Sequence, residues 1–218
     1  MRVSLLQDQK RADVAYATIQ DLIVLQRLAP GSLVSESEIM AITGLGRTPV
    51  REALQRLARD HMVMIHPNKG VLVPPLSIEA ELKALEVRRV LESLAVELAC
   101  TRASDEDRSA MRDMIERIDH SGSSVSGYMQ TVAGTHALIV AGAHNPYLAD
   151  AMAPLQGLSR RFWLAYLRRP EAEIKIASGL HRNILQAILN EDAESGREAS
   201  VALNDYLVDF SLRTVREP

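Results

Sequence analysis

The sequence predicts a mainly α-helical protein of two domains, and three observations support this fold class. Of the 218 residues, 47% are hydrophobic and only 4% are aromatic, a composition typical of helical globular proteins. A chain of this length accommodates two modest domains, each able to bury its own core. Pro74 and Pro75 separate a part with short elements from a part whose apolar residues recur at helical spacing. We expect the second part to be an antiparallel all-α bundle.

The first part begins with a segment interpreted as a flexible tail, followed by one helix. Apolar residues at helical spacing predict that helix over 12–28, and Pro30 with Gly31 ends it. The predicted divisions of the chain are a tail over 1–9, a domain over 10–75 and a helical domain over 76–218.

A short capped helix is predicted next. Ser35 and Glu38 have the spacing of a capping box, in which each side chain accepts a hydrogen bond from the other residue's backbone N–H. This indicates a helix over 36–43. Gly44 follows it directly and favours the left-handed conformation found after helix ends.

A second helix follows after a tight turn. Thr48 is interpreted as its N-cap, because Pro49 disfavours helical geometry at Thr48 and suits the first helical position itself. The helix is predicted to end near residue 60. Its apolar positions are Val50, Ala53, Leu54 and Leu57, and its polar face carries Arg47, Thr48, Arg51, Glu52, Gln55 and Arg59.

A two-stranded hairpin over 62–65 and 71–73, with its turn at 68–70, completes this part. Helix, tight turn, helix and hairpin together are typical of a winged helix-turn-helix. The alternative is a dinucleotide-binding loop through Gly44 and Gly46. It lacks a preceding strand and has Pro49 where a third small residue is needed.

After Pro75 the chain has the pattern of six long helices joined by short connections. A Ser- and Gly-rich connector over 120–127 is expected between the second and third of them. The predicted ranges are 77–101, 104–120, 127–143, 146–168, 171–189 and 193–216.

Charge is distributed unequally along the chain, whose formal net charge is −3. Residues 1–78 contain nine Lys and Arg against seven Asp and Glu, so the N-terminal part is the one suited to face phosphates.

The single Cys100 excludes an internal disulfide and is expected to be a buried thiol. Without a leader pattern or a long apolar segment, we expect a cytoplasmic protein with no membrane partner.

The segment PGSLVSESEIMAITGLGRTPVREALQRLARDHMVMIHPNKGVLV resembles the DNA-binding domain of the GntR family of bacterial transcriptional regulators. The matching positions include Pro30, Gly31, Glu36, Gly44 and the block RTPVREAL. The segment ALEVRRVLESLAVELA resembles the first helix of the FCD effector domain, which indicates the FadR-type branch. Gly46 stands where the family commonly has serine, and Ser37 where it often has arginine.

The resemblance implies a double-stranded operator DNA partner. The recognition helix would enter the major groove, and the wing tip would reach the minor groove. An arginine can bond guanine or a phosphate, and a helix N-terminus favours an anion. The alternative is that the arginines only solvate one helix face. The implied DNA-contacting residues are Arg47, Thr48, Pro49, Arg51, Gln55, Lys69 and Gly70.

The resemblance also implies a cavity in the helical domain, where many members bind a divalent metal through one Asp and three His, next to a small carboxylate. In this chain His136 and His181 match two of the histidines, and they are the candidate metal ligands. Val132 stands at the Asp position and Leu203 at the last His position. Two imidazoles make a weak site for zinc, nickel or manganese, so no cofactor is assigned unless Asn204, beside Leu203, is recruited. The histidines could instead be ordinary core residues.

The candidate effector-binding residues are therefore Arg88, His136, His181 and Asn204. Arg88 matches an arginine of the family and could hold an effector carboxylate, or it could pair with Glu92 one helical turn away.

The implied function is that of a homodimeric transcription factor whose operator affinity is controlled by a small effector, which we expect to be a carboxylate. A helical-bundle enzyme is an alternative, but the sequence has no nucleophile elbow, HExxH or P-loop, so we expect no enzymatic activity. A winged helix used only for protein contacts is the other alternative, and the exposed Arg47 and Arg51 argue against it.

Overall fold

The computed structural model describes the backbone of residues 2–120 and 124–216. Its internal contacts divide the chain into two compact units, Met1–Ser77 and Ile78–Pro218. Within the described ranges, the first unit combines helices with a small antiparallel sheet and the second contains helices alone. The mainly α fold class predicted from the sequence is confirmed.

The first unit contains three helices and three short strands. The first helix begins at Arg2, so it includes positions interpreted from the sequence as a tail. It ends at Val24 rather than near residue 28, because Gln26 adopts a left-handed φ of 57° and reverses the chain before Pro30 is reached. The elements are α1 (Arg2–Val24), β1 (Leu33–Val34), α2 (Glu36–Thr43), α3 (Arg47–Arg59), β2 (Met64–His66) and β3 (Gly70–Leu72).

Both ends of α2 are formed as predicted. The Ser35 hydroxyl accepts a hydrogen bond from the backbone N–H of Glu38, and the Glu38 carboxylate accepts one from the Ser35 N–H at 2.7 Å. Gly44 has a left-handed φ of 69°, and its N–H bonds to the Met40 carbonyl. These caps fix where the chain turns into α3.

The predicted N-cap of α3 is wrong. The helix begins at Arg47 and its N-cap is Gly46, so Thr48 and Pro49 lie inside the first turn. A proline is tolerated there because the N–H groups of a first turn have no intrahelical acceptor. Gly46 makes no side-chain cap hydrogen bond.

The wing is a three-stranded sheet in the order β1-β3-β2, where two strands were predicted. Leu33 and Met64 both pair with Leu72, from opposite sides of β3. The turn between β2 and β3 contains Asn68 at φ 60° and Gly70 at φ 118°. A Cβ at Gly70 would lie 2.8 Å from the Val34 carbonyl oxygen, so the edge contact of β1 requires glycine.

Six helices form the described part of the second unit. The first of them, α4, packs against α6, α7, α8 and α9 and forms the centre of the unit. Residues 121–123 of the predicted connector lie outside the described ranges. No helix within those ranges is long and apolar enough to cross a membrane. The helices are α4 (Ile78–Arg102), α5 (Asp105–His120), α6 (Val125–Gly142), α7 (Pro146–Ala165), α8 (Pro170–Leu189) and α9 (Ala193–Arg216).

Replacing Gly70 tests the wing geometry. We expect Gly70→Ala to lower the free energy of unfolding of the first unit by about 1–3 kcal/mol, because the new Cβ meets backbone and φ is unfavourable for alanine. Gly46→Ser is the control, since Gly46 has an ordinary φ of −72° and a Cβ there would meet only Pro49, at an ordinary 3.9 Å. The stability of this variant should be unchanged or slightly raised. Urea unfolding followed by circular dichroism measures both. Equal stability of the Gly70 variant and the wild type would contradict the assigned wing.

Candidate functional site

The exposed face of α3 carries the residues predicted to contact DNA. Val50, Ala53, Leu54 and Leu57 are buried, as their spacing predicts. Arg47, Thr48, Arg51 and Gln55 are exposed on the other side, and Pro49 is half-buried. The first turn therefore presents two arginines and a hydroxyl to solvent.

Two arginines of α3 have different surroundings. The Arg51 Nε donates to the Glu36 carboxylate of α2 at 2.7 Å, and their side chains are 57% and 35% exposed. Arg56 instead turns toward α1, where its guanidinium lies 4.5 Å from the Tyr16 ring centre and bonds the Asp13 carboxylate. An exposed ion pair contributes little net stability, so Arg51 can exchange Glu36 for another anion at little cost. Arg56 serves the packing of α3 on α1.

The wing tip is the turn between β2 and β3. Lys69 is exposed there, between Asn68 and the half-buried Gly70. The Lys69 N–H bonds to the His66 carbonyl at 3.1 Å, which closes the turn. A basic residue thus stands at the end of the sheet, as predicted.

The second unit contains a small cavity of about 20 Å³, room for roughly one water molecule. One part of its wall is polar and cationic, and another is formed by aliphatic and aromatic side chains. The lining residues are Arg88, Tyr128, Met129, Val132, His136, Ser159, Arg160, Trp163, Ala177, His181, Leu203, Tyr206 and Leu207. They come from α4, α6, α7, α8 and α9.

Arg88 pairs with Glu92 inside the unit. The Arg88 Nε and Nη2 donate to the two oxygens of the Glu92 carboxylate at 2.7 and 3.3 Å, and the two side chains are 2% and 1% exposed. The same Nη2 lies 3.1 Å from the Nε2 of His136. Of the two partners considered for Arg88 from the sequence, Glu92 is in place, and the guanidinium also borders the cavity.

His136 and His181 both line the cavity, and their Nε2 atoms are 3.2 Å apart. The Nδ1 of His181 lies 2.8 Å from the Ala177 carbonyl oxygen, which only accepts, so this nitrogen carries the proton. Burial lowers the pKa of His181 to about 4. Its ring is therefore neutral at pH 7, and its Nε2 presents a lone pair to His136.

His136 cannot satisfy both of its neighbours at once. Burial, followed by the charge of Arg88, lowers its pKa well below the ordinary value, so the ring is neutral. Its Nε2 can donate to the His181 lone pair or accept from Arg88, but a neutral nitrogen cannot do both. Its Nδ1 is buried and has no hydrogen-bond partner among the described residues. In either tautomer two groups of the cluster are therefore unsatisfied, the His136 Nδ1 and one of the two neighbours of its Nε2.

The four positions that the resemblance assigns to metal ligands do converge. Val132, His136, His181 and Leu203 all line the cavity. Val132 and Leu203 offer no donor atom, however, and the described residues contain no group of three or more His, Cys, Asp or Glu side chains that could hold a metal ion. The Arg88 guanidinium lies beside the histidine lone pairs, where it would repel a divalent ion. The residues present do not fit the metal of the resemblance.

Asn204 does not line the cavity. Its amide donates to the Leu85 carbonyl at 3.1 Å and accepts from Arg89 at 3.4 Å. These bonds fasten α9 to α4, so the structure places Asn204 in a contact between helices rather than beside the two histidines.

Sequence analysis missed the aromatic part of the cavity wall. Tyr128 and Trp163 form a tilted pair with ring centres 4.9 Å apart, and the Trp163 Nε1 donates to the Tyr206 hydroxyl at 2.8 Å. Tyr128 lies four and eight residues before Val132 and His136, so helical spacing on α6 could have found it. The contribution of α7 follows only from how the helices pack.

The pH dependence of stability tests the buried histidine. The folded pKa of His181, about 4, lies below its ordinary value of 6.5, so the unfolded chain takes up the proton first as pH falls. Stability from the neutral ring is complete above pH 6.5 and is lost progressively toward pH 4, on the order of 3 kcal/mol in total.

We expect His181→Gln to be less stable at pH 7 but to lose less stability between pH 6.5 and 4, as measured by urea unfolding at a series of pH values. His61→Asn is the control, because His61 is exposed and its φ of 59° is one that asparagine tolerates. An unchanged pH slope in the His181 variant would contradict the neutral buried ring.

Two family models match the chain in the order of its two units. The model described as "Bacterial regulatory proteins, gntR family" matches residues 11–73, and the FCD domain model matches residues 83–205. Together with the helix-turn-helix and wing, these matches define a DNA-binding transcriptional regulator. The chain belongs to the gntR family of bacterial regulatory proteins, with an FCD domain as its second unit.

Curated relatives agree with this membership. The chain is 24% identical over 192 residues to the HTH-type transcriptional repressor GlaR of Escherichia coli, covering 84% of this chain and 87% of the relative. It is 23% identical to the HTH-type regulator YdhC of Bacillus subtilis, over 86% and 84% of the two chains. The Nta operon transcriptional regulator of Aminobacter aminovorans is 35% identical over 50% of this chain and 51% of its own length. The gntR-family model and these relatives are described as transcriptional regulators, which points to a regulator rather than an enzyme.

Solved structures share the fold. McbR/YncC of E. coli aligns with a TM-score of 0.79 and 18% identity, over 94% of this chain and 98% of that chain. A GntR-type regulator of Rhodococcus sp. RHA1 aligns with a TM-score of 0.69 and 19% identity, over 96% and 99% of the two chains. At these identities the likeness establishes the architecture.

Proposed function

We propose that this protein is a ligand-responsive transcriptional regulator, which binds operator DNA through α3 and the wing and a small carboxylate effector in the cavity of its FCD domain. The observation that supports effector binding is the buried cluster of Arg88, His136 and His181, which lacks hydrogen-bond partners and borders the cavity. A site of this kind gains when a polar ligand enters.

The start of α3 has the chemistry of a DNA contact. Because Gly46 has no side-chain cap, the N–H groups of the first turn remain available to a phosphate, and the helix dipole favours an anion there. Arg47, Thr48 and Arg51 surround this end as flexible donors. The flanking DNA contacts proposed here are Pro49, Gln55, Lys69 and Gly70.

Arg51 is held near the proposed DNA contact by Glu36, which DNA can replace. Glu36 positions its guanidinium in the free protein, and a DNA phosphate or guanine edge can take over the same N–H groups on binding. Because Arg51 is exposed and Glu36 is partly exposed, the exchange leaves no fully buried charge behind.

The protein is proposed to act as a homodimer joined through α4. Val87, Val90 and Leu94 lie on one side of this helix and are 51%, 67% and 41% exposed, although their side chains are apolar. A second copy of the same face would bury them under two-fold symmetry. Two winged helices can then occupy two operator half-sites about one helical turn of DNA apart.

Effector and DNA would be coupled through α4. Arg88 faces the cavity, while Val87 and Val90 beside it form the outer face of the same helix. A ligand that displaces the Arg88 guanidinium therefore acts on the helix that sets the spacing of the dimer. We expect the effector to weaken operator binding, since half-site spacing is a geometric requirement. Operator DNA also implies a cytoplasmic location.

Removing single cations from the proposed interface tests DNA binding. We expect Arg47→Ala to weaken binding by about 1–3 kcal/mol and Lys69→Ala to reduce the slope of log K against log salt by about one. Fluorescence anisotropy would measure both, on a duplex that the wild-type protein selects from a random library. Lys175→Ala, an exposed cation of the FCD domain, is the control and should bind as the wild type does. A wild-type protein that selects no duplex and binds without salt dependence would be a protein-interaction module instead.

A charge on α4 tests the dimer. We expect Val90→Glu to convert the protein to a monomer in sedimentation experiments, because a dimer interface would bury the carboxylate without a partner. Ile176→Glu on α8 is the matched control, since Ile176 is a similarly exposed β-branched residue, and it should remain dimeric. Dimers of the Val90 variant with unchanged affinity would rule out this face.

A further inference from the structure

We propose that the cavity binds a small monocarboxylate with an apolar body, without a metal ion, and that the Arg88 guanidinium supplies the positive charge at this site. This inference rests on the proposed function, namely that the cavity holds an effector. It names the class of ligand and the way in which the carboxylate is bound.

The charged residues that line the cavity are both arginines, Arg88 and Arg160. Both lie close enough to His136 that their charges lower its pKa. An arginine keeps its positive charge at every physiological pH and donates several N–H groups in one plane, which suits a carboxylate. The anionic end of a ligand is therefore expected at this wall.

Glu92 limits what Arg88 can accept. Two of the guanidinium's donors, Nε and Nη2, already bond the Glu92 oxygens. The pair keeps Arg88 fixed in the absence of ligand and leaves it only part of its capacity for a second carboxylate. This arrangement favours a ligand with a single anionic group.

Val132 and Leu203 make the cavity lining apolar at the two positions where the resemblance implies metal ligands. They are 5% and 1% exposed, and Met129, Trp163 and Leu207 extend the same apolar lining. A second carboxylate or a hydroxyl group facing these side chains would lose its water without gaining a partner. Hydrocarbon or an aromatic ring would be buried there favourably.

Cavity size sets the scale of the ligand. The cavity has a volume of about 20 Å³, room for roughly one water molecule, so a ligand must move the lining side chains apart to enter. The displacement is smaller for an aromatic or short branched acid than for a long acyl chain. Benzoate, with one carboxylate and one ring, is a suitable probe.

Calorimetry on the full-length protein tests the ligand class. We expect chelator-treated protein to bind benzoate with an affinity that added Zn²⁺ does not change. Malate, which carries two carboxylates and a hydroxyl, should bind at least about 100-fold more weakly under both conditions. Carboxylate binding that requires Zn²⁺, or malate binding equal to that of benzoate, would overturn the inference. So would the failure of both acids to bind.

Restoring metal-donor side chains at Val132 and Leu203 tests the proposal that the cavity binds its ligand without a metal ion. We expect Val132→Asp combined with Leu203→His to retain Zn²⁺ after desalting, at close to one ion per chain by mass spectrometry, and to lose benzoate binding. Val132→Thr combined with Leu203→Met is the control with similar volumes and should retain no metal. Wild-type protein that keeps stoichiometric Zn²⁺ would contradict the proposal, and a donor variant without metal would contradict the assigned positions. These measurements use no DNA, so a negative result for the ligand class can be told apart from a failure of operator binding.

Discussion

The buried ion pair of Arg88 and Glu92 is the interaction on which the FCD domain depends. Removing two charges from water costs several kcal/mol per ion, and only close, well-directed bonds offset this. Here the carboxylate receives two donors from the same guanidinium, both side chains are almost fully buried, and both lie on the central helix α4. Replacement of one partner alone would leave an uncompensated charge inside the domain. The pair also explains why the cavity has a permanent cation at its wall, since Arg88 borders the same space.

Local chemistry made much of the fold predictable. The Ser35–Glu38 box and Gly44 specify their backbone conformations directly, and the structure contains both. The start of α3 was missed because Pro49 suits any position of a first turn, so it could not locate the boundary. Strand β1 was missed because two residues, Leu33 and Val34, show no alternation, and they become a strand only by pairing with β3.

For the cavity, the sequence identified residues but not their geometry. His136, His181 and the replaced positions Val132 and Leu203 followed from the family resemblance, and they do share one wall. Asn204, one residue from Leu203, points into a contact with α4 instead, because neighbouring residues of a helix face different directions. Arg160 and Trp163 reach the cavity through the packing of α7, which no spacing along the chain reports. The orphaned Nδ1 of His136 is likewise a property of the folded chain.

The cavity residue Arg88 and the proposed dimer face lie on the same helix, α4, and this would couple effector binding to the dimer. Arg88 lies on the inner side of the helix, and Val87 and Val90 are exposed on its outer side, less than one turn away. A rigid helix transmits a displacement across its own width without a chain of intermediate contacts. Binding energy that an effector gains at the unsatisfied histidine cluster would therefore act directly on the proposed dimer face. Allosteric coupling of about 1–3 kcal/mol is typical, which one added charge-assisted hydrogen bond at the cluster could supply. In this arrangement, the buried cluster that lacks hydrogen-bond partners in the ligand-free protein is also the cluster through which an effector would act on α4.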